Sequence, residues 1–330
     1  MGKLAAADLK KLLICIEKKP DVIVPPIPGY DSGVHLINDK YLVVSTDPCI
    51  GSPENWFGWL LIHYAASDVA LFGAKPKFCT INLLGPPSTK AGKFIKIMRQ
   101  ACKAAKDLEL AIVTGHSGTY QGLSTVIGVC TAYGLVEKDK LITPGNAKPG
   151  DSIICTKPIG LEIAINLALM KRDLAEKLFG ARRTLKLSRL VPMQSCIKEA
   201  LLLSQTEGVH AMHDMTEGGL TASLNEMAEA SNVGFNIEWE KIPICEEAEI
   251  LKEFFHLSDI QLLSMSSTGT ILVSASPHAE NHVMKTLQKA GLKASSLGFF
   301  TKNQDRKILR NGQKKVFPRK ASDPYEIILS

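Results

Sequence analysis

Apolar segments of strand length alternate with helical patterns along most of this chain, and its polar, glycine-rich residues gather at the ends of those segments. That alternation restricts the fold more than any other feature, because it calls for sheets covered by helices, an α/β or α+β architecture. The stretch Ala211-Met212-His213-Asp214-Met215-Thr216-Glu217-Gly218-Gly219-Leu220 packs an imidazole, a carboxylate, a hydroxyl and a glycine pair into a few residues, and a helical pattern follows through Leu224, Met227 and Ala228. Glycine lets backbone N–H groups approach a ligand, and a helix N-terminus carries partial positive charge, so the stretch suits an anion. The same residues also make an ordinary helix start, with Thr216 or Asp214 capping and the glycines turning. Taken alone, the stretch leaves both readings open.

In chain order, residues 4–18 read as an amphipathic helix and Pro20–Pro28 as a proline-rich linker. Strands are expected at Val34–Ile37 and Tyr41–Ser45, the second ending in Thr46-Asp47-Pro48. A long helix over Trp56–Phe72 carries Asp68 among small and apolar neighbours, where a carboxylate is costly unless paired or metal-bound. A strand at Phe78–Leu84, a helix at Ala91–Leu108 and a strand at Leu110–Val113 lead to a glycine and hydroxyl loop, Thr114–Thr119. Ser124–Leu135 reads as a further strand. The Pro-Gly turns of Pro144–Asp151 divide the chain into domains of residues 1–148 and 149–330. The second domain alternates in the same way and holds a third small-residue loop, Ser264–Thr270.

At 330 residues, 45% hydrophobic and 22% charged, the chain suits a globular two-domain protein. No apolar run reaches membrane-spanning length, and no secretory signal is legible, so a cytoplasmic protein is expected. The eight cysteines form no C-x-x-C pair and read as reduced small hydrophobes. Much of the net charge of +6 lies between Lys302 and Lys320, where Asp305 is the only acid and Phe317 the only aromatic residue; a solvated surface is expected there rather than a nucleic-acid site. Neither a Walker A loop nor G-x-G-x-x-G nor G-x-S-x-G is present. Lone carboxylates at element ends (Asp31, Asp47, Asp68) suit Mg²⁺, a hard cation that takes oxygen ligands and brings phosphates with it.

The ordered series Gly29-Tyr30-Asp31, Ser45-Thr46-Asp47-Pro48, Ser67-Asp68-Val69-Ala70 with Gly73-Ala74 and Pro76, Gly115-His116-Ser117, Pro158-Ile159-Gly160-Leu161-Glu162 and His213-Asp214-x-Thr216-x-Gly218-Gly219-Leu220 resembles the PurM-like (AIR synthase-related) superfamily. The resemblance covers nearly the whole chain and is nearest to archaeal HypE-like hydrogenase-maturation proteins. It implies a two-domain α/β fold whose N-terminal domain forms a β-barrel-like core across a homodimer. It also implies ATP held with Mg²⁺, and activation of a small acceptor by phosphoryl transfer. Asp31, Asp47 and Asp68 would be metal ligands. Asp31, Gly115, His116, Gly218 and Gly219 would bind the nucleotide. His213, Asp214 and Thr216 would act at the reacting end. A maturation-type protein partner is a further implication; a nucleotide-binding scaffold without turnover and a thiamine-monophosphate-kinase-like enzyme are the alternatives. The chain departs from the family pattern at Tyr30-Asp31-Ser32 and Thr114–Ser117, each with one acid fewer. Its last cysteine is Cys245, so the terminal cysteine that receives the carbamoyl group in HypE has no counterpart here.

Overall fold

The structure, a computed structural model, describes Leu4 and residues 6–330. They form two compact units, Leu13–Leu141 and Ile142–Ser330, the second joined by the segment up to Leu12. The first helix, α1 (Ala6–Leu13), is shorter than the pattern over residues 4–18 predicts. Ile14 is 84% exposed, so a continuation would bury no apolar face, and short helices depend on such burial.

The N-terminal unit is built on a six-stranded sheet in the order β1 (Val22–Val24), β2 (Ser32–Ile37), β3 (Lys40–Cys49), β6 (Ile127–Val136), β4 (Phe78–Gly85), β5 (Ala111–Thr119). All pairs are antiparallel except β4 with β5, which the helix α3 (Ala91–Asp107) connects as a parallel crossover. The helix α2 (Phe57–Leu71) lies on the face to which β4 and β6 turn their buried, alternate residues. Gly58 is where α2 and α3 touch: a Cβ there would stand 2.1 Å from the Ile97 carbonyl oxygen, so only glycine permits this approach. The sheet is open, with β1 and β5 as its edges.

Three expectations change in this unit. The proline-rich linker contains β1, paired with β2. Asp47 does not follow its strand; β3 continues to Cys49, and Asp47 lies opposite Cys130. Thr114–Thr119 is not a loop but the second half of β5, with Gly115 opposite Ile81 and His116 opposite Asn82. Hydrogen bonding to β4 overrides the local turn preference of glycine and serine.

The C-terminal unit carries a seven-stranded sheet in the order β13 (Gln313–Val316), β12 (Arg306–Arg310), β9 (Gly234–Glu238), β11 (Ser295–Thr301), β7 (Ser152–Cys155), β10 (Ile271–Ala275), β8 (Val209–Asp214). Every residue of β7 and β10 is buried, as expected of strands covered on both faces. Helices α4 (Leu161–Met170), α5 (Arg172–Phe179), α6 (Ala181–Leu187), α7 (Ile197–Ser204), α8 (Gly219–Ala230), α9 (Glu246–Phe254), α10 (Asp259–Leu263), α11 (Glu280–Lys289) and α12 (Tyr325–Leu329) complete it. Leu220, Leu224, Met227 and Ala228 form the apolar stripe of α8, which enters one core cluster with Ile153, Phe235, Leu272 and Phe317. The basic stretch after Lys302 forms the β12–β13 hairpin, turned by Asn311 and Gly312 at φ 49° and 76°, values that suit a two-residue primed turn.

Candidate functional site

In the C-terminal unit the stretch at Ala211–Leu220 is a strand end, a turn and a helix start. His213 and Asp214 are the last two residues of β8, paired with Leu272 and Ile271 of β10. Tertiary pairing thus places in a strand two residues whose glycine neighbours suggest a loop. The turn closes with a hydrogen bond from Gly219 N to the Thr216 carbonyl at 2.9 Å. Gly218 and Gly219 take φ of 84° and 52°. At Gly219 a Cβ would sit 2.4 Å from the Met265 carbonyl oxygen, so conformation and space both demand glycine.

His213 is 1% exposed; its Nε2 donates to Glu226 Oε2 at 2.9 Å, and its Nδ1 faces Asp214 Oδ1 at 3.4 Å. Asp214 is 2% exposed, and its Oδ1 accepts no hydrogen bond among the described residues. Ser223 of α8 donates to the Asp214 carbonyl at 2.7 Å, which ties the strand end to the helix. Thr216 is half-buried.

Two further stretches meet this turn. Met215 N donates to Thr270 O and Ser267 N to Met215 O, so the Ser264–Thr270 loop runs beside it. Gly160 N donates to Ser267 Oγ at 2.7 Å, and Thr268 N donates to Glu162 Oε2 at 2.9 Å, which brings in the Pro158–Glu162 segment. Burial, relieved in part by the Thr268 donors, pushes the Glu162 carboxyl up to about 7, with Asp323 and Glu217 adding to the rise. Lys157 anchors the assembly from below: its Nζ donates to the carbonyls of Met193, Ser195 and Gly269 at 3.0, 2.8 and 2.7 Å and pairs with buried Glu199.

In the N-terminal unit Asp31 stands just before β2, Asp47 lies in the second half of β3 and Asp68 is carried by α2. Asp68 of α2 is 4% exposed and accepts from Ser45 Oγ at 2.7 Å. Asp47 lies two residues along β3 from Ser45 and therefore on the same strand face. Asp31 directly precedes Ser32, which pairs with Ser45. The thiols nearest Asp47 are held protonated: burial pushes Cys49 up to about 12, and Cys130 is raised by its hydrogen bond with Cys79 and by burial. Six of the eight cysteines are buried; Cys15 and Cys102 are exposed.

Within this sheet, Gly115 and His116 are not brought to the aspartates. Their strand β5 stands three places from β3, roughly 14 Å at the usual strand spacing. His116 is exposed, with Nε2 bonded to Tyr120 Oη.

Glu226, Lys157 and Ser45 were not anticipated as site residues. Glu226 lies on the helix after the motif, two turns beyond Gly219, a position that only the packing of α8 against β8 ties to His213.

Two α/β units, each built on its own sheet, and a glycine turn opening the helix after β8 fit the PurM-like class. The match is direct: the AIR synthase related protein N-terminal domain matches residues 29–136 and its C-terminal domain residues 148–310. The chain belongs to the AIR synthase-related family. It is 29% identical over 278 residues to a hydrogenase expression/formation protein of Methanocaldococcus jannaschii, covering 82% of this chain and 79% of that protein. It is 24% identical over 323 residues to a selenide, water dikinase of Carboxydothermus hydrogenoformans, covering 88% and 89%. Among solved structures, the hydrogenase maturation protein HypE in complex with ATP aligns with a TM-score of 0.72 at 18% identity, over 86% of each chain. A thiamine monophosphate kinase from Aquifex aeolicus aligns with 0.69 at 19% identity, over 94% of this chain and 97% of that one. These structures share the fold.

Proposed function

We propose that this protein is an ATP- and Mg²⁺-dependent enzyme that activates a small acceptor by phosphoryl transfer, related to HypE and AIR synthase. The observation that supports the reading is the buried Asp68 carboxylate bonded to Ser45 Oγ, with Asp47 on the same face of β3 and Asp31 next to Ser32, the residue opposite Ser45. These carboxylates offer oxygen donors. Oxygen donors suit a hard cation such as Mg²⁺. Asp31, Asp47 and Asp68 would hold the ion, which supplies charge neutralisation at the phosphates. Gly115 and His116 are proposed as nucleotide contacts, and Gly218 and Gly219 as the shapers of the α8 mouth.

Asp214, whose buried Oδ1 accepts no hydrogen bond among the described residues and faces His213 Nδ1, is proposed as the carboxylate at the reacting end. His213 is held by Glu226 to present a fixed ring orientation, and Thr216 offers a hydroxyl at the turn. Phosphoryl transfer rests on positioning and charge stabilisation, and these groups supply both in kind. The acceptor is not a thiol of this sequence's last cysteine: Cys245 is buried and its thiol is pushed up to about 12.

A homodimer is part of the proposal. The sheet of the N-terminal unit leaves Phe78 and Leu135 exposed on the face away from α2. An apolar sheet face of this kind is covered well by a second copy. The solved HypE–HypF complex, whose fold this chain shares, adds a maturation-type protein partner to the reading. No helix among the described residues is long and apolar enough to cross a membrane.

The test is calorimetric titration of ATP with and without Mg²⁺, followed by ADP release over a panel of acceptors. Mg²⁺-dependent binding with ADP release is expected, and Asp68→Asn should weaken Mg²⁺–ATP binding by about tenfold or more in a folded chain. Tight binding without ADP release would make the protein a nucleotide-binding scaffold. ADP release specific to thiamine monophosphate would make it a kinase of that class. No ATP binding would overturn all three.

A further inference from the structure

Residues beyond 310 lie outside the family match, yet the C-terminal segment is docked onto the loops of the C-terminal unit. Phe317 is 0% exposed and Ile328 1%. Asn225 Nδ2 donates to the Pro318 carbonyl at 2.8 Å, and Asn166 Nδ2 donates to Tyr325 Oη at 3.1 Å. Between these anchors, Ser322 N donates to Ser264 Oγ at 3.1 Å. Asp323 then reaches two loops with one oxygen: Oδ2 accepts from Gly218 N at 3.0 Å and from Ser266 Oγ. Its other oxygen accepts from Tyr325 N at 3.0 Å. Ala321 closes over the same turn, 2.9 Å from where a Cβ of Gly218 would stand.

A carboxylate bonded to a backbone N–H at the start of a helix forms a charge-assisted bond and lies favourably in the helix field. Here that carboxylate comes from a segment 105 residues away in sequence. It also joins the Thr216–Gly219 turn to the Ser264–Thr270 loop, to which backbone bonds through Met215 hold it as well. We propose that Asp323 is a positioning residue, a tie from the C-terminal segment that sets the geometry of the turn carrying Thr216 and so governs turnover more than nucleotide affinity. The proposal rests on the phosphoryl-transfer reading for its activity arm and on the structure alone for its geometric arm.

The test uses the full chain in four variants, Asp323→Asn, Asp323→Ala, Ser266→Ala and the double variant carrying both alanines, with amide exchange read at Gly218. Removing a hydrogen bond to a charged group should speed exchange at Gly218 by about tenfold to a hundredfold in Asp323→Ala. Ser266→Ala should speed it less, and the two changes should be non-additive because both act through one carboxylate. Asp323→Asn, which keeps the shape, should lower kcat by about tenfold with KM for ATP within about twofold of wild type. Unchanged exchange at Gly218, additive effects of the two alanine variants, or faster exchange with unchanged kcat would each overturn the tie. If the wild type binds no ATP, the functional reading fails while the exchange measurements still decide the geometry. If Asp323→Ala does not fold, Ser266→Ala and Asp323→Asn carry the test.

Discussion

His116 and His213 sit in similar company, each beside glycine and hydroxyl residues on the last turns of a strand, and they end in opposite surroundings. His116 belongs to an edge strand whose residues are mostly exposed, and its ring bonds the Tyr120 hydroxyl. His213 belongs to a strand end buried under α8, with Glu226 on one ring nitrogen and Asp214 facing the other. Gly115 and Gly219 differ in the same way. Both have a carbonyl within 2.4 Å of a would-be Cβ, but only Gly219 also needs a positive φ. An exposed polar group is satisfied by water at little cost, whereas a buried one must be matched by protein or ligand. The buried stretch is therefore where chemistry can be held in place, and the exposed one is where a partner or ligand must arrive to give it a role.

The largest expected effect tests the glycines. Gly219→Ala should destabilise the fold by about 3 kcal/mol or more, read as a fall in the urea midpoint, because strain and overlap coincide. Gly115→Ala should lose about 1–2 kcal/mol, since an edge strand can shift outward. Equal losses would show that the edge is as rigid as the buried turn, and the comparison would break. Next comes His213→Ala, which strips Glu226 of its donor and should cost about 1–3 kcal/mol by the same measurement.

The third effect is a pH dependence confined to the buried side. The Glu162 carboxyl is raised by burial from 4.5 to about 7, so the folded chain holds this proton more tightly than the unfolded one. Its contribution to stability is complete below pH 4.5 and is lost as pH rises through about 7, so stability falls across that window. Glu162→Gln should flatten that fall, visible in melting temperatures compared at about pH 5 and about pH 8. The smallest effect belongs to the exposed side: His116→Ala should stay within about 0.5 kcal/mol of wild type. A larger loss there, scaling with protein concentration, would place β5 inside an interface between copies.

Much of this was legible residue by residue. The period of Leu220, Leu224 and Met227 predicts α8 and its buried face, and the glycines before it predict the turn. Asp68 on an apolar helix predicts a carboxylate with a partner, and the structure supplies Ser45. Other features were not legible. Thr114–Thr119 has the composition of a loop and becomes a strand because α3 returns the chain beside β4. Asp47 sits inside β3 for the same reason: β6 runs along it to Cys49. The ties made by Glu226, Lys157 and Asp323 join residues 13, 112 and 105 positions apart, beyond the reach of any local pattern.

By itself, then, the sequence determined the alternation of strand and helix, the family, and the glycine turn at the mouth of α8. These depend on periodicity and on the few residues that tolerate a positive φ, and both are written in neighbouring positions. Only the tertiary structure decided which polar stretches are buried, which carboxylate meets which donor, and that the C-terminal segment closes on the turn. Burial depends on what packs above a residue, and a hydrogen-bond partner can come from any part of the chain that packing brings within about 3 Å.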